Sequence, residues 1–189
     1  IEALFRELST TVLHAPTLTV GECTLSLTPP FPRRRFRDLV LDAAGIDIAQ
    51  ASDDDLRDAL TRRSEPTDPA WGRGKLLDEI YKSTARPMLR APTFVIDHPV
   101  ELSPLAKRHA EDPSTVERFQ LVINGMEIVN AFSELNDPVD QRERFAAQAH
   151  QAALGDDEAM RIDEDFLAAL EVGMPPTAGI AIGIDRLVM

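Results

Sequence analysis

The spacing of apolar positions changes character near residue 92. Before it, helical spacing dominates. Leu4, Phe5, Leu8 and Val12 recur at helical intervals, so the chain opens on a helix. Thr17 to Val20 and Cys23 to Leu27 read as two short strands around Gly21-Glu22, and Pro29, Pro30 and Pro32 then break regular structure. Phe36, Leu39, Val40 and Ala43 form one stripe of a helix over 36–44, stopped by Gly45. Ser52, with Asp55 three residues on, reads as the N-cap of a helix over 53–63. Residues 66–74 form a loop. Leu76, Leu77, Ile80 and Tyr81 then mark the inner side of a helix over 74–89, whose end Pro87 limits.

From Pro92 the signals are those of strands. Thr93 to Ile96 is a buried-strand run, followed by a charged, Pro-containing loop over 97–109. Residues 119–123 and 126–132 are strands joined by Asn124-Gly125, a strong hairpin signal. Asp137-Pro138 opens a helix reaching about Leu154, and Asp163 opens a shorter one that ends at Gly173, before Pro175-Pro176. Gly179 to Arg186 is a Gly-studded apolar strand ending in an acid and an arginine. A hairpin requires antiparallel pairing, and helices flank it. The expected fold class is therefore α+β, an antiparallel sheet flanked by helices, rather than a doubly wound parallel sheet.

Composition narrows the function. The 189 residues carry 20 Lys+Arg against 32 Asp+Glu, a formal net charge of −12, which argues against non-specific coating of nucleic acid. The basic run Arg33-Arg34-Arg35 with Arg37 reads as a solvated face before an RNA grip. The single cysteine, Cys23, excludes an internal disulfide and a Cys-rich zinc site, and it reads as a packing residue. His98, Glu101 and His109 lack the i, i+4 spacing of a zinc hydrolase, and Pro99 and Pro104 intervene. No apolar run approaches the roughly 20 residues that span a bilayer. The helical opening at Ile1, and an apolar run reaching Met189 without a cap or polar tail, read as a piece of a longer protein.

The hairpin and the last strand hold the candidate chemistry. An Asn-Gly turn sets Ile123 opposite Met126, Val122 opposite Glu127, Leu121 opposite Ile128, Gln120 opposite Val129 and Phe119 opposite Asn130. Gln120 and Glu127 become diagonal neighbours within reach of a shared ion or ligand. Asn130, Phe132 and Glu134 share a face by period two and can hold a small cation: the ring packs its stem and the acid takes its charge. The same alternation fits an edge hairpin whose polar side faces water. It also puts Glu127 opposite to Glu134, so one site using both requires a bulge. Gly179, Ala181 and Gly183 make a small-residue face against which a flat ligand can lie, and Arg186 at the strand exit can grip a phosphate. A tightly packed strand with an Asp185–Arg186 ion pair reads equally well.

Three stretches resemble class II lysyl-tRNA synthetase: Pro92 to Lys107, Glu127 to Pro138, and Met174 to Arg186, the last resembling motif 3 of that class. The resemblance is strong over 92–189 and looser over 1–91. It implies a partial catalytic domain over 1–189: a mostly helical segment following motif 2 over 1–91, then a sheet core with the lysine pocket and motif 3 over 92–189. It implies a six-stranded antiparallel sheet and a ligase that activates lysine with ATP to lysyl-adenylate and transfers it to tRNA(Lys). By position, Asn130, Phe132 and Glu134 match lysine-binding residues. Glu127, Gly183 and Arg186 match ATP-binding ones, with Arg186 the catalytic arginine. Glu127 and Gln120 match the Mg²⁺ ligands, although the family has Glu where this chain has Gln120. Ala181 likewise stands where a motif 3 glycine is common. Motif 1, motif 2 and the anticodon-binding domain have no match within the 189 residues; Phe36-Arg37-Asp38 is only a faint echo of motif 2. The resemblance further implies a cytoplasmic homodimer as the full-length protein, with no membrane association and with the segment alone inactive. The departures at Gln120 and Ala181 leave a second reading: a synthetase-like paralogue with a binding or regulatory role, or one that lysylates a non-tRNA acceptor.

Overall fold

The computed structural model describes residues 1–21, 23–153 and 160–189. The chain opens on α1 (Glu2–Thr11) and the hairpin of β1 (Thr17–Val20) and β2 (Cys23–Ser26). The proposed turn residue Glu22 lies outside the described residues. Next come β3 (Arg33–Arg35), α2 (Phe36–Ala44), α3 (Asp53–Arg62) and α4 (Arg73–Ile80). Gly45 takes φ 72°, the left-handed conformation that ends α2. Ser52 and Asp55 make a reciprocal capping box at α3. The helix expected over 74–89 changes character: α4 gives way to a π-helical turn at Tyr81–Ala85 and a 3₁₀ turn at Arg86–Met88. Pro87 lacks an N–H, so the α-helical ladder cannot run through it.

The second half supplies β4 (Thr93–Pro99), β5 (Thr115–Ile123), β6 (Met126–Ser133), α5 (Pro138–Ala153), α6 (Glu164–Val172), β7 (Ala178–Ile182) and α7 (Ile184–Val188). The expected end of α5 at Leu154 lies outside the described residues. Among the described residues the main sheet has five strands in the order β3-β4-β5-β6-β7. Strands β4 to β7 pair antiparallel, as expected. The run Arg33-Arg34-Arg35 is not a plain solvated face: it forms β3, which joins β4 in parallel. Arg34 reaches Asp42 and Arg35, on the opposite face, reaches Asp97. Strand β4 continues past Ile96 because Asp97, at φ 53°, bulges the strand and restores pairing at His98.

Apolar side chains pack against both faces of the sheet. On one, Phe94, Leu121, Ile123, Ile128 and Val129 pack against Phe5, Leu25, Leu27 and Phe31 from α1, β2 and the loop after it. On the other, Val95 and Val122 pack beneath Phe36, Leu39, Leu76, Leu77, Ile80 and Tyr81. This helical layer covers β4 and β5. Along β7, Gly179 is half-buried and Ala181 exposed, so that end of the same face is left open. Among the described residues no helix is long and apolar enough to cross a membrane.

Candidate functional site

The site begins with an irregularity in β6. Val122 pairs with Glu127, as the Asn-Gly turn dictates, but Leu121 pairs with Val129, Gln120 with Asn130 and Phe119 with Ala131. The expected register therefore holds only next to the turn. Ile128 is the extra residue of a β-bulge, and it packs with Val129 into the core behind the sheet. One consequence decides the site. Glu127, before the bulge, and Asn130 and Phe132, after it, now stand on one face, together with Arg118, Gln120 and Val122 of β5. The bulge is fixed from the end of the chain: Gly183 N–H donates to Ile128 O at 2.9 Å and Arg186 Nη1 to Glu127 O at 2.8 Å.

Asn130 pairs with Ala181 and Phe132 with Gly179, so the small residues of β7 share that face. The Cβ direction of Gly179 runs straight into Glu134 Oε1. That of Gly183 meets the stem of Arg186, 3.5 Å away at Cδ. Glu134 and Arg186 thus border the same small-residue surface at its two ends. Arg186 does not leave a strand, as the sequence implied. The strand stops at Ile182, and Asp185 and Arg186 lie on α7. The turn at Gly183 is what folds the arginine back over the sheet.

Gln120 Nε2 donates to Glu127 Oε2 at 2.6 Å, so the two residues expected to cooperate are in direct contact. Rotating the amide presents Oε1 instead, which makes a pair of hard oxygen donors. One carboxylate and one amide suit a Mg²⁺ ion that shares its shell with phosphates and water. The pair opens onto a cavity of about 270 Å³ lined also by Phe36, Asp78, Tyr81, Lys82, Arg86, His98 and Arg118. His98 is buried, its ring centroid 5.5 Å from that of Phe36. Burial, then the nearby Arg118 charge, push its pKa down to about 3. His98, Glu101 and His109 are not brought together: among the described residues no cluster of three such side chains can hold a metal.

Glu134 carries a pKa raised by burial alone, as a carboxylate does when no cation faces it. Its strand end is held by Glu134 N–H donating to Thr177 O at 2.9 Å, and by a bridge between Glu134 and Ala106. Neither Arg118 nor the hold that the loop after β4 has on it was foreseen from sequence. Arg118 donates to Asn130 Oδ1 at 3.0 Å. The available signal was its place two residues before Gln120, which period two puts on the same strand face. Arg37, in the faint echo of motif 2, is tied up on α2 with Asp47 at 2.6 Å.

The sequence profile of tRNA synthetases class II (D, K and N) matches residues 1–189. A protein named lysine–tRNA ligase from Dehalococcoides mccartyi is 52% identical over 175 residues, covering 92% of this chain and 35% of the relative. Namesakes from Moorella thermoacetica and Christiangramia forsetii are 45% and 44% identical over the whole chain, which spans 39% and 33% of them. The chain therefore spans about a third of the length of the curated relatives it matches. With a profile match from end to end and a mainly antiparallel sheet flanked by helices, the chain belongs to the class II tRNA synthetases of the D, K and N type.

Proposed function

We propose that this chain is the lysine pocket and motif 3 part of the catalytic domain of a lysine–tRNA ligase. The observation that carries the reading is the placement of Glu134 and Arg186 over opposite ends of the Gly179-Ala181-Gly183 surface, with Asn130, Phe132, Gln120 and Glu127 alongside. Glu134 takes the lysine ε-ammonium, a charge-assisted contact that also relieves its own desolvation. The Phe132 ring packs the aliphatic stem. The absence of a side chain at Gly179 lets the ligand approach the strand closely. Arg186 takes the γ-phosphate of ATP. Gln120 and Glu127 would hold Mg²⁺, which when bound neutralises phosphate charge and orients the triphosphate.

Activation needs no protein nucleophile. A lysine carboxylate oxygen attacks the α-phosphorus, pyrophosphate leaves, and lysyl-adenylate forms. A terminal hydroxyl of tRNA(Lys) then attacks the acyl carbon, AMP leaves, and the hydroxyl proton is lost to solvent or phosphate. These residues contribute position and charge complementarity. The measurement that tests the reading is lysine-dependent ATP–pyrophosphate exchange by the full-length protein. Exchange is expected with lysine and not with other amino acids. A folded full-length protein without exchange overturns the ligase and leaves a binding or regulatory paralogue. Exchange without tRNA charging points to another lysyl acceptor.

A further inference from the structure

Arg118 is partly buried, and among the described residues it has no carboxylate partner. Its acceptors are neutral: Asn130 Oδ1 at 3.0 Å from Nε, Leu102 O at 2.9 Å and Ser103 Oγ at 2.8 Å from Nη1. The loop that supplies two of them is itself fixed. Arg144 of α5 donates to Ser103 O at 3.0 Å and Ala106 O at 2.6 Å, and Gln141 donates to Pro104 O at 3.0 Å. The guanidinium is thus clamped between a braced loop and the sheet face.

A guanidinium has donors and no acceptor, so whatever side-chain amide it bonds must turn its oxygen inward. With Oδ1 turned to Arg118, Asn130 presents its NH₂ group outward. We infer that Arg118 is a positioning residue that sets the polarity of the Asn130 amide, so that Asn130 meets its ligand as a hydrogen-bond donor to an acceptor oxygen. The chemistry this selects is a carboxylate or phosphoryl oxygen and never an ammonium. It divides the surface over β7 into a cation end at Glu134 and a donor position at Asn130, which pairs with Ala181. The inference deepens the ligand pocket proposed above and rests on that reading.

The test is equilibrium binding of lysine alone and of Mg²⁺-ATP alone to the full-length protein and four variants. Asn130→Ala and Arg118→Met should each weaken one of the two ligands by about tenfold, the worth of one hydrogen bond to a charged oxygen. The double variant should be no weaker than either single one, because both remove the same contact. Asn130→Asp keeps an acceptor for Arg118 but points an anion at the ligand oxygen, so it should bind worse than Asn130→Ala. It also leaves Arg118 in place, so it serves if Arg118→Met does not fold. Loss on the lysine arm assigns the oxygen to the amino-acid carboxylate, and loss on the ATP arm assigns it to a phosphoryl group. Additive losses in the double variant, full binding by Arg118→Met, or binding by Asn130→Asp as good as the parent's would overturn the inference. If Asn130→Ala changes neither ligand, it is the pocket reading itself that fails.

Discussion

At the scale of single residues, Gln120 stands where the resemblance implies a glutamate. A glutamate there would set two carboxylates about as close as the 2.6 Å that now separates Gln120 Nε2 from Glu127 Oε2. Two such groups cannot both ionise without a cation between them. The amide satisfies Glu127 by itself, and in the proposed Mg²⁺ site it would trade metal affinity for stability without the ion. Gln120→Glu should therefore bind Mg²⁺-ATP several-fold more tightly by calorimetry. In chelator it should unfold more easily than the parent, by about 1–3 kcal/mol, the cost of a lost buried hydrogen bond. Unchanged nucleotide affinity would remove position 120 from the ligand set. Glu134 is the second case. Removing its charge in Glu134→Gln should weaken lysine binding by about 1.5–3 kcal/mol. Its pKa is raised in the free protein by burial. The unfolded chain ionises first as pH rises, so this group opposes folding once its carboxylate is ionised and not below. For the ligand the sign is the reverse. The ammonium needs the carboxylate ionised, so lysine affinity should fall as pH drops through the raised pKa, and binding there should release a proton. Affinity flat across that window would mean that Glu134 does not meet the cation.

Among the elements, β7 and β6 carry the geometry. A Cβ on Gly179 would meet the carboxylate tip of Glu134 and no backbone. That tip is the mobile end of a side chain, so it can yield. Gly179→Ala should leave thermal stability within about 1 kcal/mol of the parent, yet raise the lysine Kd, because Glu134 is displaced. A variant with intact lysine affinity would show that this close approach has no bearing on the pocket. Much of the framework was legible in the chain itself. Asn124-Gly125 located the β5–β6 hairpin, Ser52 with Asp55 located α3, and Gly45 and Gly173 ended their helices, because each of these signals is local. The bulge at Ile128 was not legible. It is held by Gly183 and by Arg186, 59 residues away from the Glu127 carbonyl it bonds, and nothing near Ile128 announces it. Alternation could say only that Glu127 and Glu134 required such a break. Strand β3 was missed for a similar reason. Three arginines lack β-propensity, and their pairing is supplied by β4, about 60 residues on. The place of Arg186 was misread because a strand and a turn of helix share the same apolar spacing over so few residues.

For the whole molecule, the question is what keeps the pocket wall in place when one side of the sheet is open. The helical layer answers for one end. Phe36, 1% exposed, stacks 4.8 Å from Tyr81 and 5.5 Å from His98, joining α2, the π-helical turn and β4. The other end depends on α5, where charge does what apolar packing does elsewhere. Arg144, 7% exposed, holds the loop through Ser103 O and Ala106 O and is paired with Asp140 at 2.8 Å, which Arg108 also approaches at 3.2 Å. The Arg144 hydrogen bond, above all, lowers the pKa of Asp140. The linkage sign follows from that direction. The contribution is fully present above the unfolded pKa near 3.8 and is lost as pH falls through the lower folded value. Asp140→Asn leaves Arg144 in place without its counter-charge. Because Asp140 keeps 18% of its side-chain exposure, solvent softens the cost, and about 2–3 kcal/mol is expected rather than the full penalty of a sealed pair. The variant should also lose acid sensitivity below pH 4 relative to the parent. Amide exchange should quicken at Lys107, whose N–H bonds Ser133 O at 2.8 Å, because releasing Arg144 frees the loop that backs Arg118 and Glu134. Unfolding curves and hydrogen exchange on the same samples separate the two consequences. A parent-like acid slope would remove Asp140 as its source. Unchanged exchange at Lys107 with lowered stability would mean that the clamp supports the fold without supporting the pocket.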